Sequence, residues 1–503
     1  VSTRRVGPVL VAVTAAVAAT AAPATAAPAT STSAPSAAVF NVRNYGAKGD
    51  GNANDTAAIN KAIVAANHAT GGGTVQFPAG TYRSATTIHM LSDVTLRLDA
   101  GSTIKGSGAD TYDPPEPNPN DRYQDYGHSH FHNAMIHGDR LTNIGFTGSG
   151  TIDGGGNLIT GNPKSGEADK ILSLTRCDGL TLSGITLKRG GHFAALINGC
   201  DHVTSDRLTI DTAGDRDGWN IISTRNVVIT NIHAAANDDA LVFKSDYALG
   251  QKLPNGNVTV DTAQLSAGCC NALMFGSETC GDFTHYRFSH VTITGAGKSG
   301  LGLVSMDGAR ISDVRYDDVT MANTASPIML KVGTRKRCGD GPGVGSISDI
   351  HFSNVRGTSA GAYSPTIWGQ PGHPVTDVSF DHVDLTVPGG HAATDPTKVP
   401  DDTGDYNPKS LGTRPAYGWY LHEVSGITFT ASSVRFAADD QRPAVIVNAG
   451  SDVTFDHFTA QRGSGGPFDL GFQHVSGYCV TAATTTAGGP AKVSATGSTS
   501  SCG

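Results

Sequence analysis

From about residue 141 the chain repeats one short figure: a small or polar residue, an aliphatic one, then apolar and polar positions in alternation. It recurs at Asn143-Ile144, Gly179-Leu180, His202-Val203, Asn226-Val227, Asn257-Val258, His285-Tyr286, Asp313-Val314, Asp349-Ile350, Asp377-Val378, Gly426-Ile427 and Asp452-Val453. Successive anchors stand 36, 23, 24, 31, 28, 28, 36, 28, 49 and 26 residues apart. A floor with variable excess implies coils made of strands of fixed length, joined by turns that swell or shrink. Alternation of period two with β-branched residues marks the strands, and Gly, Asn and Asp mark the turns. The prediction is an all-β fold, a single-stranded right-handed parallel β-helix. A two-sheet sandwich gives no reason for so long a repeat.

An open solenoid end exposes strand edges and has to be covered. Asp55 is placed to N-cap a short helix that carries Ile59, Ala62, Ile63 and Ala66 on one face and ends at Gly71-Gly72-Gly73. That helix is expected to plug the N-terminal end. The resulting division is a cap with first coils over 38–140, the main β-helix over 141–478 and a tail over 479–503. Ahead of it, Arg4 and Arg5 precede a weakly apolar run from Val9 to Ala22 with small-residue sites such as Ala24-Thr25-Ala26. Residues 1–26 therefore read as an export signal, with a hint of the twin-arginine type, and the Ala, Pro, Ser and Thr of 27–37 as a disordered linker. A secreted, extracellular protein follows, and no later stretch is apolar for long enough to span a membrane.

Composition sharpens this picture in two places. Net charge is −8, which gives no general attraction to nucleic acid or to anionic membranes. The eight cysteines suit an exported chain with disulfides, and the spacings preferred by zinc are missing. Cys177 and Cys200 are 23 residues apart, close to one coil, and Cys479 with Cys502 can staple the tail. Cys280 pairs with Cys269 or Cys270 on this reading, leaving Cys338 and one neighbour open. No cofactor or metal is implied, and a monomer is expected.

The candidate chemistry lies in Asp215-Arg216-Asp217-Gly218 and Asn237-Asp238-Asp239-Ala240. Asp217 and Asp238 are 21 residues apart, which sets them on neighbouring coils of one face, where strands stack about 4.8 Å apart. Crowded carboxyls repel, so at least one holds a proton to deliver while the others stay ionised to activate water. That division of labour serves glycoside hydrolysis, and a separation of about 6.5–9.5 Å implies inversion at the anomeric carbon.

These two segments resemble the aspartate motifs N-T-D-G and G-D-D of the polygalacturonase family, glycoside hydrolase family 28. Phe40-Asn41-Val42-Arg43-Asn44-Tyr45-Gly46-Ala47-Lys48-Gly49-Asp50-Gly51 and Gly148-Ser149-Gly150-Thr151-Ile152-Asp153-Gly154 resemble its structural landmarks. The likeness runs over roughly 38–460 and implies a pectin-related poly- or oligosaccharide as substrate. It implies Asp238 as general acid, with Asp217 and Asp239 positioning and deprotonating water. The match then departs. The family's histidine position falls on Asn271, and its R-I-K carboxylate clamp falls on Gly302-Leu303-Val304, which cannot grip an acidic sugar.

Other residues are therefore expected to contact substrate: Asn271, Lys244, Glu278, Lys331, Arg335 and Trp219. Lys336 and Arg337 read more simply as a solvated basic loop, and Trp219 and Trp368 as either sugar platforms or core. His128, His130 and His132 alternate on a possible strand and would share one face. Loops at 108–132, 246–256, 336–346 and 388–416 are long enough to wall off one end of a groove. Two rival functions remain, a polysaccharide lyase on the same scaffold and a non-catalytic carbohydrate-binding β-helix.

Overall fold

The protein's structure, a computed structural model, describes residues 38–108, 111–359 and 363–502. The signal peptide and linker expected over 1–37 lie outside the described residues. The rest forms a right-handed parallel β-helix. Named strands pair only in parallel, from Ala38↔Gly73 at one end to Ser476↔Thr499 at the other. The tail expected after residue 478 thus still adds strands, Val493–Thr496 and Thr499–Ser500, to the stack.

The repeated anchor residues have a backbone reason. Asn143, His202, Asn226, Asn257, His285, Asp313, Asp349, Asp377 and Asp452 all have φ between 52° and 62°, and Gly179 and Gly426 have 79° and 67°. Each anchor is the left-handed corner at which a coil turns. Asn, Asp and Gly tolerate that conformation best, so they recur there. A second left-handed corner follows five residues on, as at Asn231, His290, Asp318, Asn354, His382 and His457. The apolar residue after each anchor then points into the core, where Val203, Val227, Val258 and Tyr286 stack in register.

Aromatic residues continue this core toward the C-terminus. Phe288, Tyr316, Phe352, Phe380, Phe429 and Phe455 form one column with ring centroids 4.5–4.9 Å apart and planes within 12° of parallel. Coil spacing and ring-stacking distance coincide, so each ring inside the column has a neighbour on both faces. Phe352→Ala leaves a cavity that flanking coils cannot close without breaking their ladders. It is expected to cost about 3–5 kcal/mol in urea denaturation; a loss under about 1 kcal/mol would show that the column does not carry coil-to-coil stability.

The N-terminal plug is the helix Thr56–Asn67, with Ile59, Ala62, Ile63 and Ala66 fully buried. It ends four residues before the glycines that were expected to stop it. Gly71 and Gly72 instead make a left-handed turn into the strand Gly73–Phe77. Asp55 occupies the cap position, but its carboxylate accepts from Lys48 N at 2.7 Å and Gly49 N at 3.2 Å. It pins the preceding segment to the plug and does not cap its own helix.

Cys177–Cys200 and Cys479–Cys502 are disulfides between adjacent coils. Cys280 pairs with Cys338, not with Cys269 or Cys270. The bend at 268–270 keeps the last two cysteines together on the opposite end of their coil from Cys280. Among the described residues no helix is long and apolar enough to cross a membrane.

Candidate active site

Three consecutive coils build the site. The strand Asp217–Ile222 pairs with Leu241–Ser245 through Trp219↔Leu241, and that strand pairs with Leu273–Thr279 through Leu241↔Leu273. Continuing each ladder back two residues sets Asp217 beside Asp239 and Asp239 beside Asn271, with Gly218 N donating to Asp239 O at 2.8 Å and Ala240 N to Asn271 O at 3.0 Å. The stacked pair is therefore Asp217 and Asp239, 22 residues apart, and not Asp217 and Asp238. Asp238 lies over Arg216, its N–H bonded to Arg216 O at 3.1 Å. Residues 237–240 form a turn and not a strand. Two successive aspartates can for that reason face the same side, which a pleated strand forbids.

The three carboxyls share a cavity of about 140 Å³ with Lys244, Glu278, His128 and Lys298, among others. Lys244 is at its centre. Its Nζ stands 3.8 Å from Asp217, 4.0 Å from Asp239 and 3.5 Å from Glu278, and 3.1 Å from His128 Nε2. Burial works against the ammonium charge, but Glu278, Asp217 and Asp239 outweigh it and raise its pKa. Burial and Lys244 together lower His128 to about 4, so His128 is neutral and accepts from Lys244.

The carboxyls divide by environment. Burial raises Asp217 to about 8 despite Lys244, and its Oδ1 is buried without a hydrogen-bond partner. Burial likewise raises Asp239, which accepts from Asn271 Nδ2 at 2.7 Å and Asn271 N at 3.1 Å. Burial pushes Asp238 up too, yet a Cys270 hydrogen bond and the Arg216 charge reverse it to a net lowering. Arg216 Nη2 reaches Asp238 Oδ2 at 3.0 Å. Asp238 is also the most accessible of the three, with 20% of its side chain exposed against 4% and 7% for Asp217 and Asp239.

The remaining expected contact residues separate into those the fold brings here and those it does not. Asn271 is present, but its amide is committed to Asp239 and to Ser299 N. Glu278 is buried among cations, accepting from Arg337 at 2.6 Å; burial pushes its pKa up, but Lys244, Arg335 and Arg337 together hold it well below the usual carboxylate range. Arg335 forms a two-pronged contact with Asp307 at 2.9 and 2.6 Å and donates to Ser277, behind the cavity wall. Lys331 is elsewhere: its Nζ donates to Asp402 at 2.5 Å and Asp405 O at 2.7 Å. It tethers the loop that carries Tyr406 and so shapes the cavity from outside. Trp219 points inward and is fully buried in the core, because its place in the ladder is that of Leu241 and Leu273. Trp368 is also buried, against Tyr420 and His422.

The histidine alternation does not make a strand. Tyr126–Ser129 is a helical turn, so only His128 enters the cavity; His130 bonds Glu116 O, and His132 is exposed. Arg337, expected to be solvated, bridges Glu278 and Asp125. Arg216, His192, Lys298 and Tyr406 also line the cavity and had not been singled out. Arg216 sits inside the aspartate motif, and Lys298 lies one coil after Asn271, next to Ser299 in the ladder, so coil counting finds both. Tyr406 has no such signal, since it arrives on a loop.

A parallel β-helix that gathers carboxyls around a buried ammonium in one cavity holds the acid–base groups that glycoside hydrolysis requires. The sequence model of the family "Glycosyl hydrolases family 28" matches residues 71–403. The chain belongs to that family. It is similar to an exopolygalacturonase of Platanus acerifolia, 25% identical over 379 residues, covering 70% of this chain and 91% of the relative. In fold it is similar to a family 28 exopolygalacturonase of Yersinia enterocolitica, with TM-score 0.58 at 18% identity over 91% of this chain and 79% of that one. An exopolygalacturonase of Thermotoga maritima gives TM-score 0.55 at 17% identity, over 69% and 87%.

Proposed function

We propose that this chain is a secreted enzyme that hydrolyses a uronate-containing, pectin-type poly- or oligosaccharide with inversion at the anomeric carbon. The observation that carries the reading is the charge balance of the cavity. Arg216 is paired with Asp238, and Lys244 with Asp217, Asp239 and Glu278. Among the described residues lining the cavity, Lys298 is the one lysine or arginine with no carboxylate within 4.0 Å; its ammonium bonds Tyr406 Oη at 3.0 Å and lies over that ring. Burial disfavours its charge, but Tyr406 and nearby anions raise it on balance. An unbalanced, half-buried cation is suited to a sugar carboxylate, in place of the missing R-I-K clamp.

Asp238 delivers the proton to the glycosidic oxygen, because it is the carboxyl that incoming substrate reaches. In the empty site burial keeps the shared proton on Asp217, so the cluster titrates as a unit. Substrate binding moves that proton to Asp238, leaving Asp217 and Asp239 ionised to hold and deprotonate water. Asn220 and Asn271 orient those two through bonds of 2.9 and 2.7 Å. Walls from the 108–132 loop, through His128, and the 388–416 loop, through Tyr406, support attack near a chain end. The exopolygalacturonase named among its relatives supports the same reading.

Proton NMR of products from a panel of pectic and neutral polysaccharides tests the proposal. Inverted reducing ends from a uronate polymer are expected. Unsaturated products absorbing in the ultraviolet would indicate a lyase, and no product from any polymer a binding protein. Lys298→Met is expected to raise KM for a uronate oligosaccharide about 10–100-fold while changing kcat little, as for loss of a charge-assisted contact of about 1.5–3 kcal/mol. Equal KM in both enzymes would remove the carboxylate from this subsite.

A further inference from the structure

Cys269 and Cys270 are adjacent in sequence, unassigned by the mechanism and outside the three disulfides. They sit in the bend at 268–270, immediately before Asn271. Because this segment is not pleated, neighbouring side chains need not diverge, and the two Sγ atoms stand 2.6 Å apart. The backbone is fixed from both sides: Cys269 N bonds Asn237 O on the preceding coil at 2.6 Å, and Lys298 N on the next bonds Cys270 O at 2.8 Å. Both sulfurs and one Asp238 carboxylate oxygen lie within 4.8 Å of one another. Cys269 is exposed and Cys270 buried.

We propose that Cys269 and Cys270 form a vicinal dithiol site that low-molecular-weight disulfides close into a ring, and that this ring sets the protonation of Asp238. The second half rests on the reading of Asp238 as the acid. Closure is an ordinary exchange. The Cys269 thiolate attacks RSSR, forming Cys269–S–S–R and releasing RS⁻. The Cys270 thiolate then attacks the Cys269 sulfur, forming the Cys269–Cys270 bond and releasing a second RS⁻. Two electrons pass to the reagent, and the two thiol protons end on two RSH. Cys269 is the attacking group because it is exposed. Burial raises both thiols, and near Asp238 the rise at Cys270 is large. Adjacent α-carbons are only about 3.8 Å apart, shorter than the usual 4.4–6.8 Å of a disulfide, so the ring is strained and readily reopened.

The link to Asp238 is the thiol hydrogen. In the reduced site the Cys270 sulfur lies within 4.8 Å of an Asp238 carboxylate oxygen, and its thiol hydrogen turned toward that oxygen favours the ionised form. Closing the ring removes that donor. Everything else facing Asp238 stays in place: Arg216 and Asp217 from the preceding coil, Asp239 beside it, Lys244 across the cavity and Lys298 from beyond Cys270. Oxidation therefore raises the Asp238 pKa, and the alkaline limb of the activity profile moves to higher pH.

The test uses the full chain treated with oxidised glutathione, alkylated with iodoacetamide after denaturation, and mapped by mass without reduction. The fragment carrying both cysteines is expected unalkylated and two hydrogens lighter than its reduced form. Dithiothreitol under native conditions should restore both thiols there while Cys177–Cys200, Cys280–Cys338 and Cys479–Cys502 persist. Alkylated cysteines, a retained glutathione adduct or a disulfide-linked dimer at this position overturns the ring. Oxidised enzyme should keep activity to higher pH than reduced enzyme, whereas Cys269→Ser should give the reduced profile in both treatments. A ring with superimposable profiles overturns the coupling. The mass result stands whether or not the chain hydrolyses pectin, so failure of the proposed function and failure of the dithiol site are told apart.

Discussion

Asp238→Asn is expected to lower kcat on a uronate polymer by about 10²–10⁴-fold with KM nearly unchanged, the loss belonging to a proton transferred only in the transition state. Asparagine keeps the size of the side chain and its oxygen still accepts from Arg216, so the coil has no reason to refold around it. What it lacks is a proton to give. The defect should shrink sharply on an aryl glycoside, whose leaving group departs without protonation. Circular dichroism and melting temperature close to the parent would confirm that chemistry alone was removed. A loss of equal size on the aryl substrate would move the acid to another residue. Asp217, raised by burial to about 8 and carrying an oxygen with no partner, would then take the role.

Lys244→Met is expected to cost about 3–5 kcal/mol of stability, the range for removing one partner from a buried ionic cluster. Methionine fills much of the same volume but leaves Asp217, Asp239 and Glu278 with no ammonium within 4 Å. Glu278 keeps Arg337, but Asp217 and Asp239 can escape only by taking up protons, so the penalty depends on pH. Lys244 lowers the pKa of all three; its loss raises Asp217 and Asp239 further above their unfolded values and brings Glu278 up from well below its own. A carboxyl whose folded pKa lies above the unfolded one binds the extra proton only in the native state, and that stability is lost as pH rises through the folded value. Denaturant melts at about pH 5 and about pH 8 should therefore show a larger deficit at the higher pH. Equal deficits would mean that lost packing, and not charge balance, is what Lys244 supplies. Activity should fall in the variant at both values, since the paired carboxylates can no longer remain ionised beside substrate.

Both outcomes depend on features with different visibility in the chain. The β-helix was legible because its corners must be left-handed, and only a few residue types sit there without strain. That requirement writes Asn, Asp, His or Gly into every coil at Asn143, Gly179, His202, Asn226 and onward. The plug helix was legible from its apolar face, and the cluster of aspartates from two acidic segments about one coil apart. Register was less secure. A one-residue shift separates Asp217 beside Asp239 from Asp217 beside Asp238, and the turn at 237–240 that decides it has no alternation to read.

Sequence by itself determined the coil, its inward column of aliphatic residues, and the neighbourhood of three carboxyls, because each depends on spacing along a repeat. Tertiary structure alone decided which charges neutralise one another. Lys331 was drawn away to Asp402, Trp219 turned into the core, and His128 and Tyr406 were carried in on loops. Loop reach and burial set those outcomes, and neither leaves a period in the sequence. The same holds for Cys270, whose place beside Asp238 follows from two coils meeting and not from any motif.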